Sequence, residues 1–381
     1  MLEMDVIGAQ VLHPDGLKAE LLSLADGYIV DAPSGRAVDL SGFIVLPGLI
    51  DLHGDGFERH VAPRRGAMSE MDEGLIATEA ELAANGITTA YLAQFWSWEG
   101  GLRGPDFASK VMASLARVRD QVPTDLHAQM RFEIHLLEDC ARLPQMLSDW
   151  GVDYVVFNDH LPHDRLAEGR KPPRLTGQAL KAGRNPEAHF EFLLNLHSRR
   201  GEVPAAMDAM TADLAARGIR LGSHDDADPA TRTIWRKRGA RVSEFPETLD
   251  AAQAARDAGD HVVMGAPNLV RGGSHKGNVS ALEVVRAGLC DALASDYHYP
   301  SPRRAALGLI RDHGLGWDEG WGLVSSGPAR VMGMQDRGTL APGMRADMVI
   351  LDATTLRVAA TLSGGRASFM SGDVAARLLA A

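Results

Sequence analysis

Leu46-Pro47-Gly48-Leu49-Ile50-Asp51-Leu52-His53-Gly54-Asp55 is an apolar run of strand length that ends in a histidine and a carboxylate two residues apart, with Gly56, Glu58, Arg59 and His60 following. Residues i and i+2 of an extended strand point to the same side, so His53 and Asp55 can converge on one cation. A satisfied turn after a buried strand would present the same pair. The reading therefore turns on whether the rest of the chain supplies partners at matching places.

At 381 residues the chain outgrows one small core and suits a single large α/β barrel with an appendage. Hydrophobic residues make up 45% and charged residues 23%, the texture of a globular enzyme. A formal charge of −11 argues against nucleic-acid binding through a broad basic face, while leaving room for a local basic pocket that takes a small anion. Cys140 and Cys290 are too few for a disulfide framework or a thiolate zinc motif, which fits a reducing cytoplasm. No basic segment followed by an apolar stretch opens the chain, and no run approaches the ~20 apolar residues of a spanning helix. The expectation is a cytoplasmic protein, not membrane-bound, with assembly into a homo-oligomer left open.

Working outward from the opening stretch, residues 1–42 hold short apolar runs such as Asp5–Leu12 and Tyr28–Val30, punctuated by Pro14-Asp15-Gly16 and Pro33-Ser34-Gly35, the mark of small antiparallel strands. Beyond it, helical and extended segments alternate. Helical stretches at 69–85, 105–121 and 141–150 precede or separate strands at 87–94, 130–136 and 153–160. A long polar insertion of helical character runs from 161 to 217, and four more strands follow at 219–224, 241–245, 261–266 and 291–296. With the opening stretch this makes eight strand candidates joined by helical connections, the pattern of a (βα)8 TIM-type barrel. From about 336 the texture returns to short strands at 338–340, 347–351 and 358–362, so both chain ends are expected to build a small β-sandwich. The division is then 1–45 and 336–381 for the β domain and 46–335 for the barrel.

In such a barrel the chemistry lies at the carboxyl ends of the strands. His53 and Asp55 end the first strand, Glu133 lies near the end of the third, Asp159-His160 ends the fourth, His224-Asp225-Asp226 the fifth, Glu244 the sixth and Asp296 the eighth. Polar groups at six of eight strand ends outweigh a capping role for any one of them. Carboxylates and imidazoles without thiolates suit one or two divalent ions such as Zn²⁺, Mn²⁺ or Fe²⁺. A second constellation, Met264 through Asn278, follows the seventh strand. Its glycines, including Gly272 and Gly273, allow tight turns and present N–H groups, and Arg271, His275 and Lys276 supply donors that match phosphate oxygens, with Ser274 and Asn278 beside them. A helix beginning near Asn278 would add its positive end. Loops after strands seven and eight commonly hold phosphate in this fold.

Leu46 through His53 resembles the first-strand signature of the amidohydrolase superfamily, and Gly343-Met344-Arg345-Ala346-Asp347-Met348-Val349 is similar to its closing signature. Within the superfamily, Ser223 through Ala227, Met264 through Asn278 and Ser295-Asp296-Tyr297 resemble the diphosphatases of the carbon–phosphorus lyase pathway of phosphonate degradation. The resemblance implies a mononuclear or binuclear metal site in which His53, Asp55, Glu133, His224 and Asp296 match motif positions, with zinc the expected ion. No lysine stands near the ends of strands three or four, so Glu133 is the better bridge between two ions, and Glu244 stands where a histidine commonly ends the sixth strand. Leu161-Pro162-His163-Asp164-Arg165 replaces the Gly-Gln-containing run that follows Asp-His in that family.

The implied activity is hydrolysis of a phosphoanhydride, releasing diphosphate from a ribose 5-triphosphate, a phosphorylated small molecule. Asp296 would orient a metal-activated water and take its proton, Arg271, Lys276, Gly272 and Gly273 would stabilise charge on phosphorus, and His160 or His275 would protonate the leaving group or bind a second ion. Two rivals stand beside it. One is cleavage of an amide, cyclic amide or N-acetyl group on the same barrel, with the basic loop taking a carboxylate. The other is a non-catalytic scaffold, which predicts missing ligands, whereas all five are present.

Overall fold

The computed structural model describes residues 1–63, 70–273 and 277–380. Eight strands stand side by side in chain order in one sheet: β1 Leu49–Gly54, β2 Ile87–Trp96, β3 Asp125–Glu133, β4 Tyr154–Asn158, β5 Arg220–His224, β6 Val242–Glu244, β7 His261–Gly265 and β8 Ala292–Ala294. Parallel pairing and intervening helices make this a (βα)8 barrel. Every residue of β2 and of β4 is buried, as expected of parallel strands covered on both faces. Strand β3 departs from this rule. Met130 and Phe132 alternate with Gln129, Arg131 and Glu133, and all five are buried, so one of its faces is polar inside the fold.

By its contacts the chain divides into two units, one of Met1–Leu92, Arg117–His127 and Val263–Ala381 and the other of Ala93–Ala116 and Ala128–Val262. In the first unit, the N–H of Asp296 donates to His53 O at 2.8 Å and that of Asp55 to Asp296 O at 2.8 Å, which joins the end of β8 to the end of β1. The same unit carries the sandwich. A four-stranded sheet orders Tyr28–Val30, Leu22–Ala25, Met4–Ile7 and Ala37–Asp39. A six-stranded sheet orders Arg366–Met370, Val358–Ser363, Met348–Asp352, Phe43–Pro47, Gln10–His13 and Gly16–Lys18. Met4, Val6, Leu24, Val45, Met348 and Ile350 belong to one buried apolar cluster within it.

Several expectations are corrected here. Leu46–Ile50 is not one barrel strand: Phe43–Pro47 pairs antiparallel with Met348–Asp352 in the sandwich, and the barrel begins only at Leu49. Gly48 makes the crossing, its N–H donating to Asp347 O at 2.9 Å; a Cβ there would lie 2.3 Å from Thr88 Oγ1. The two signature stretches thus meet backbone to backbone. Asp5–Leu12 likewise divides into Met4–Ile7 and Gln10–His13, in different sheets, with Gly8 at φ +75° between them. Residues 338–340 form no strand, and a terminal strand, Arg366–Met370, and a helix, Gly372–Ala380, had no counterpart in the sequence reading.

In the second unit, the polar insertion folds as the helices His163–Ala167, Leu175–Lys181, Pro186–Ser198 and Val203–Ala216. Leu161, Leu166, Leu175, Leu193 and Leu196 pack with Trp98 into an apolar cluster of their own. Apolar residues spaced three and four apart on Pro186–Ser198 supply the packing face.

Candidate active site and metal-ligating groups

In the first unit, His53 is wholly buried at the end of β1 and Asp55 half-buried just beyond it. Asp296 follows β8 with φ at +55°, a left-handed conformation that a non-glycine residue adopts at a cost of order 1 kcal/mol and that collects at functional sites. The carboxylate of Asp51 sets this turn. It is 1% exposed and accepts from Ser295 N at 2.8 Å and Ser295 Oγ at 2.5 Å, one residue before Asp296. Burial pushes its pKa up, against the pull of those two donors. Tyr299 is also wholly buried, and its hydroxyl has no hydrogen-bond partner among the described residues. A Cβ on Gly54 would lie 2.8 Å from its ring, so this glycine allows the close approach.

Two guanidiniums reach Tyr297 beside Asp296. Arg59 Nη1 donates to its carbonyl at 3.0 Å, and Arg271 Nη1 donates to its hydroxyl while Nη2 donates to Asn268 Oδ1 at 3.1 Å. Arg59 is itself paired with Glu81, whose other oxygen lies 2.6 Å from His60 Nε2. The expected loop after β7 proves to begin with a short helix, Ala266–Arg271, which Pro267 starts and Gly272 ends at φ +79°. Gly273, Gly277 and Asn278 are described; Ser274, His275 and Lys276 lie outside the described residues. The helix expected near Asn278 starts at Ala281 instead. A capping box of Ser280 and Glu283 meets its first N–H groups with a hydroxyl and a carboxylate, so its positive end is already answered from within.

In the second unit, the polar face of β3 contacts three strand ends. Gln129 Nε2 donates to Glu244 Oε1 at 2.6 Å, Arg131 Nη2 lies 3.2 Å from His224 Nε2, and Glu133 Oε1 lies 2.5 Å from His160 Nδ1. Glu244 also accepts from the Tyr154 hydroxyl at 2.7 Å. Burial, followed by this carboxylate, pushes the Tyr154 phenol well up, which keeps it the donor. Glu133 further accepts from Trp98 Nε1 at 3.1 Å and from the His160 backbone at 3.2 Å. Burial works against charge on the His160 ring, but Glu133 outweighs it and the pKa is raised above the ordinary imidazole value.

A guanidinium only donates, so the contact with Arg131 makes His224 Nε2 the lone-pair nitrogen, and Asp225 Oδ1 lies 3.1 Å from Nδ1 on the other side of the ring as a charged neighbour. Asp225, like Asp296, stands at positive φ, +57°. Behind it Asp226 is buried, its Oδ2 accepting from Ser223 at 2.7 Å, Ser243 at 2.6 Å and Arg232 at 3.1 Å, which ties β5 to β6.

Divalent-ion chemistry fits these donors. Glu99, Glu133 and His160 offer one ligand atom each, all within 4.8 Å of one another, and so do His160, His224 and Asp225. The two groups share His160, and each mixes hard oxygen with borderline nitrogen. Glu99, Asp51, Arg131 and Tyr154 were not singled out from sequence. The Gln-x-Arg-x-Glu alternation on β3 was the available signal for Arg131. Glu99 sits past the end of β2, where no spacing announced it.

Imidazoles and carboxylates at strand ends define the class as a (βα)8 barrel with candidate metal-ligating groups. Residues 281–368 match the Amidohydrolase family model. Alpha-D-ribose 1-methylphosphonate 5-triphosphate diphosphatase of Escherichia coli (strain K12) is 32% identical over 322 residues, covering 83% of this chain and 85% of that protein. Among solved structures, a putative prolidase from Bifidobacterium longum superposes with a TM-score of 0.63 at 15% identity, covering 99% and 98% of the two chains. N-acetylglucosamine-6-phosphate deacetylase from Pasteurella multocida gives 0.62 at 12%, covering 96% and 99%. At these identities the likeness concerns the fold. The chain belongs to the amidohydrolase superfamily and is a hydrolase. Among the described residues, no helix is long and apolar enough to cross a membrane.

Proposed function

We propose that the protein is a metal-dependent diphosphatase that hydrolyses alpha-D-ribose 1-methylphosphonate 5-triphosphate to the 5-phosphate and diphosphate in phosphonate catabolism. The observation that carries this reading is the 32% identity with the diphosphatase across most of both chains. His53, Asp55, Glu133, His224 and Asp296 are the proposed ligands, with zinc the proposed ion and manganese or iron the alternatives. Such an ion supplies a Lewis acid that polarises phosphoryl oxygen and lowers the pKa of water from about 16 towards 7.

The chain's own residues do the rest. Asp296 orients the attacking water and takes its proton as the new P–O bond forms at the phosphorus next to the ribose. Arg271 and Lys276 hold the phosphate oxygens, with Ser274 and Asn278 as further proposed contacts, whereas the expected N–H donors of Gly272 and Gly273 donate instead to Leu269 O at 3.2 Å and Asn268 O at 3.1 Å and close the helix Ala266–Arg271. Arg271 and Arg59 meeting at Tyr297, beside Asp296, support an anion site there. His160, fixed through Nδ1 by Glu133, protonates the departing diphosphate as the phosphoanhydride bond breaks; His275 is the alternative donor. A cytoplasmic setting accompanies this reading, with neither Cys140 nor Cys290 in a disulfide.

The test is phosphorus NMR of the purified protein with ribose and nucleoside 5-triphosphates, run beside a panel of amides, cyclic amides and N-acetyl compounds. Diphosphate release is expected. Amide cleavage with intact phosphoanhydrides would overturn the proposal in favour of an amide hydrolase.

A further inference from the structure

Outside the proposed catalytic groups, the second unit holds a cluster of three imidazoles and a carboxylate where the helical insertion meets the ends of β3 and β4. His135 follows β3, Asp159 follows β4, His163 opens the helix His163–Ala167, and His197 lies in the helix Pro186–Ser198. His135 Nε2 lies 3.2 Å from Asp159 Oδ1, and His163 Nε2 lies 3.2 and 3.1 Å from the two Asp159 oxygens. One atom from each of the three residues falls within 4.8 Å of the others. Ligands at ~2.0–2.1 Å in a tetrahedron stand ~3.3 Å apart, so these separations suit a single ion as well as they suit hydrogen bonds. The other nitrogen of His163, Nδ1, lies 3.0 Å from His197 Nδ1, an outer partner that fixes the ring with Nε2 towards Asp159. His135 is 3% exposed and His197 8%, whereas Asp159 and His163 are about one-third exposed, leaving an open side for a water ligand.

We propose that His135, Asp159 and His163 form a second divalent-metal site, structural in role, that fastens the insertion to the ends of β3 and β4. The apolar cluster of Leu161, Leu166, Leu175, Leu193 and Leu196 holds the insertion together, and the imidazoles join it to the strand ends through Asp159. His163 stands in Leu161-Pro162-His163-Asp164-Arg165, the segment in which the sequence departs from the diphosphatase pattern. The site takes a borderline ion, Zn²⁺ above all, and does not depend on which bond the enzyme cleaves.

The test uses the full chain, stripped with a chelator and reloaded with Zn²⁺ or Co²⁺. His163→Gln is expected to lose one equivalent of zinc per chain by elemental analysis and to lose the rise in Tm that zinc gives the stripped wild type at that site. His163→Cys, which restores a ligand, is expected to regain the equivalent and to give its Co²⁺ form a thiolate charge-transfer band that wild type lacks. A chain carrying His53→Asn and His224→Asn should still bind one Co²⁺ in a way that adding His163→Gln abolishes. Unchanged zinc content and an unchanged zinc-dependent Tm in His163→Gln, with no new band in His163→Cys, would overturn the proposal and leave the cluster as a hydrogen-bonded ion network.

Discussion

Replacing Asp51 by Ala tests whether one buried carboxylate holds the reactive turn in place. Asp51 accepts from both Ser295 N and Ser295 Oγ, and truncation strands both donors in a site that is 1% exposed. An unsatisfied buried donor costs about 1–3 kcal/mol, so the pair costs about 3 kcal/mol once partial relaxation is allowed. With an unfolding entropy of roughly 2.1 cal/mol/K per residue, a chain of 381 residues loses about 4 °C of Tm for that amount. The functional effect is larger. Asp296 is the next residue, held at positive φ, and displacing a catalytic group by about 1 Å costs on the order of 100-fold in rate. Asp51→Asn keeps one acceptor and presents an amide to a hydroxyl that can turn to accept it, so about 1 kcal/mol is expected for that variant. Calorimetry together with kcat for diphosphate release measures both quantities. Asp51→Ala with a Tm within 1 °C and a kcat within twofold of wild type would refute the clamp.

Asp296→Asn, whose amide oxygen can still ligate but cannot take up the proton, is expected to keep its metal content and lose turnover; a near wild-type rate with intact metal would remove Asp296 from the proton-transfer role. Arg271→Met should raise KM for a triphosphate by about tenfold, as for the loss of one charge-assisted contact, and leave KM for an uncharged ester alone; equal effects on both would count against an anion site at Tyr297. Arg337 donates to Asp125 at 2.6 Å and to Thr89 at 2.9 Å, and Arg337→Met should destabilise by about 2 kcal/mol, below the ~3–5 kcal/mol of a fully buried pair because Asp125 is 28% exposed. Burial alone would raise the Asp125 pKa, but His127 and Arg337 outweigh it and hold the carboxyl well below the usual range. A carboxyl depressed in the folded state stabilises fully above its ordinary pKa, and that contribution is lost as pH falls from there through the depressed value. The gap in urea midpoint between wild type and Arg337→Met should therefore hold from pH 7 to about pH 4 and narrow below it, and a gap that widens would be inconsistent with the pairing.

The barrel was legible because its strands are short apolar runs bounded by helical periods, and β4 through β7 fall within a residue or two of where the sequence put them. Boundaries inside continuous apolar stretches were not. Leu46–Ile50 carries no polar residue and Asp5–Leu12 only Gln10 inside it, and tertiary pairing reveals that each is cut between two sheets. The helix Ala266–Arg271 was read as loop because the glycines just after it dominate the local composition. The candidate strand-end groups could be read from sequence, each being a His, Asp or Glu closing an apolar run. Their supports could not. Asp51 meets Ser295 from 244 positions away, and Gln129 and Tyr154 meet Glu244 from 115 and 90 away, distances over which no local pattern carries information.

The pairing of Phe43–Pro47 with Met348–Asp352 bears on how the chain is made. On a ribosome adding about 5–20 residues per second, the later strand emerges on the order of 15–60 s after the earlier one. Through that interval Phe43–Pro47 can pair on one edge only, with Gln10–His13, while the N–H and C=O groups of its other edge wait. The nascent chain thus carries an unpaired strand edge until Met348–Asp352 is made, and a premature stop before Met348 would release a product in which the segment leading into the first barrel strand has lost its anchor.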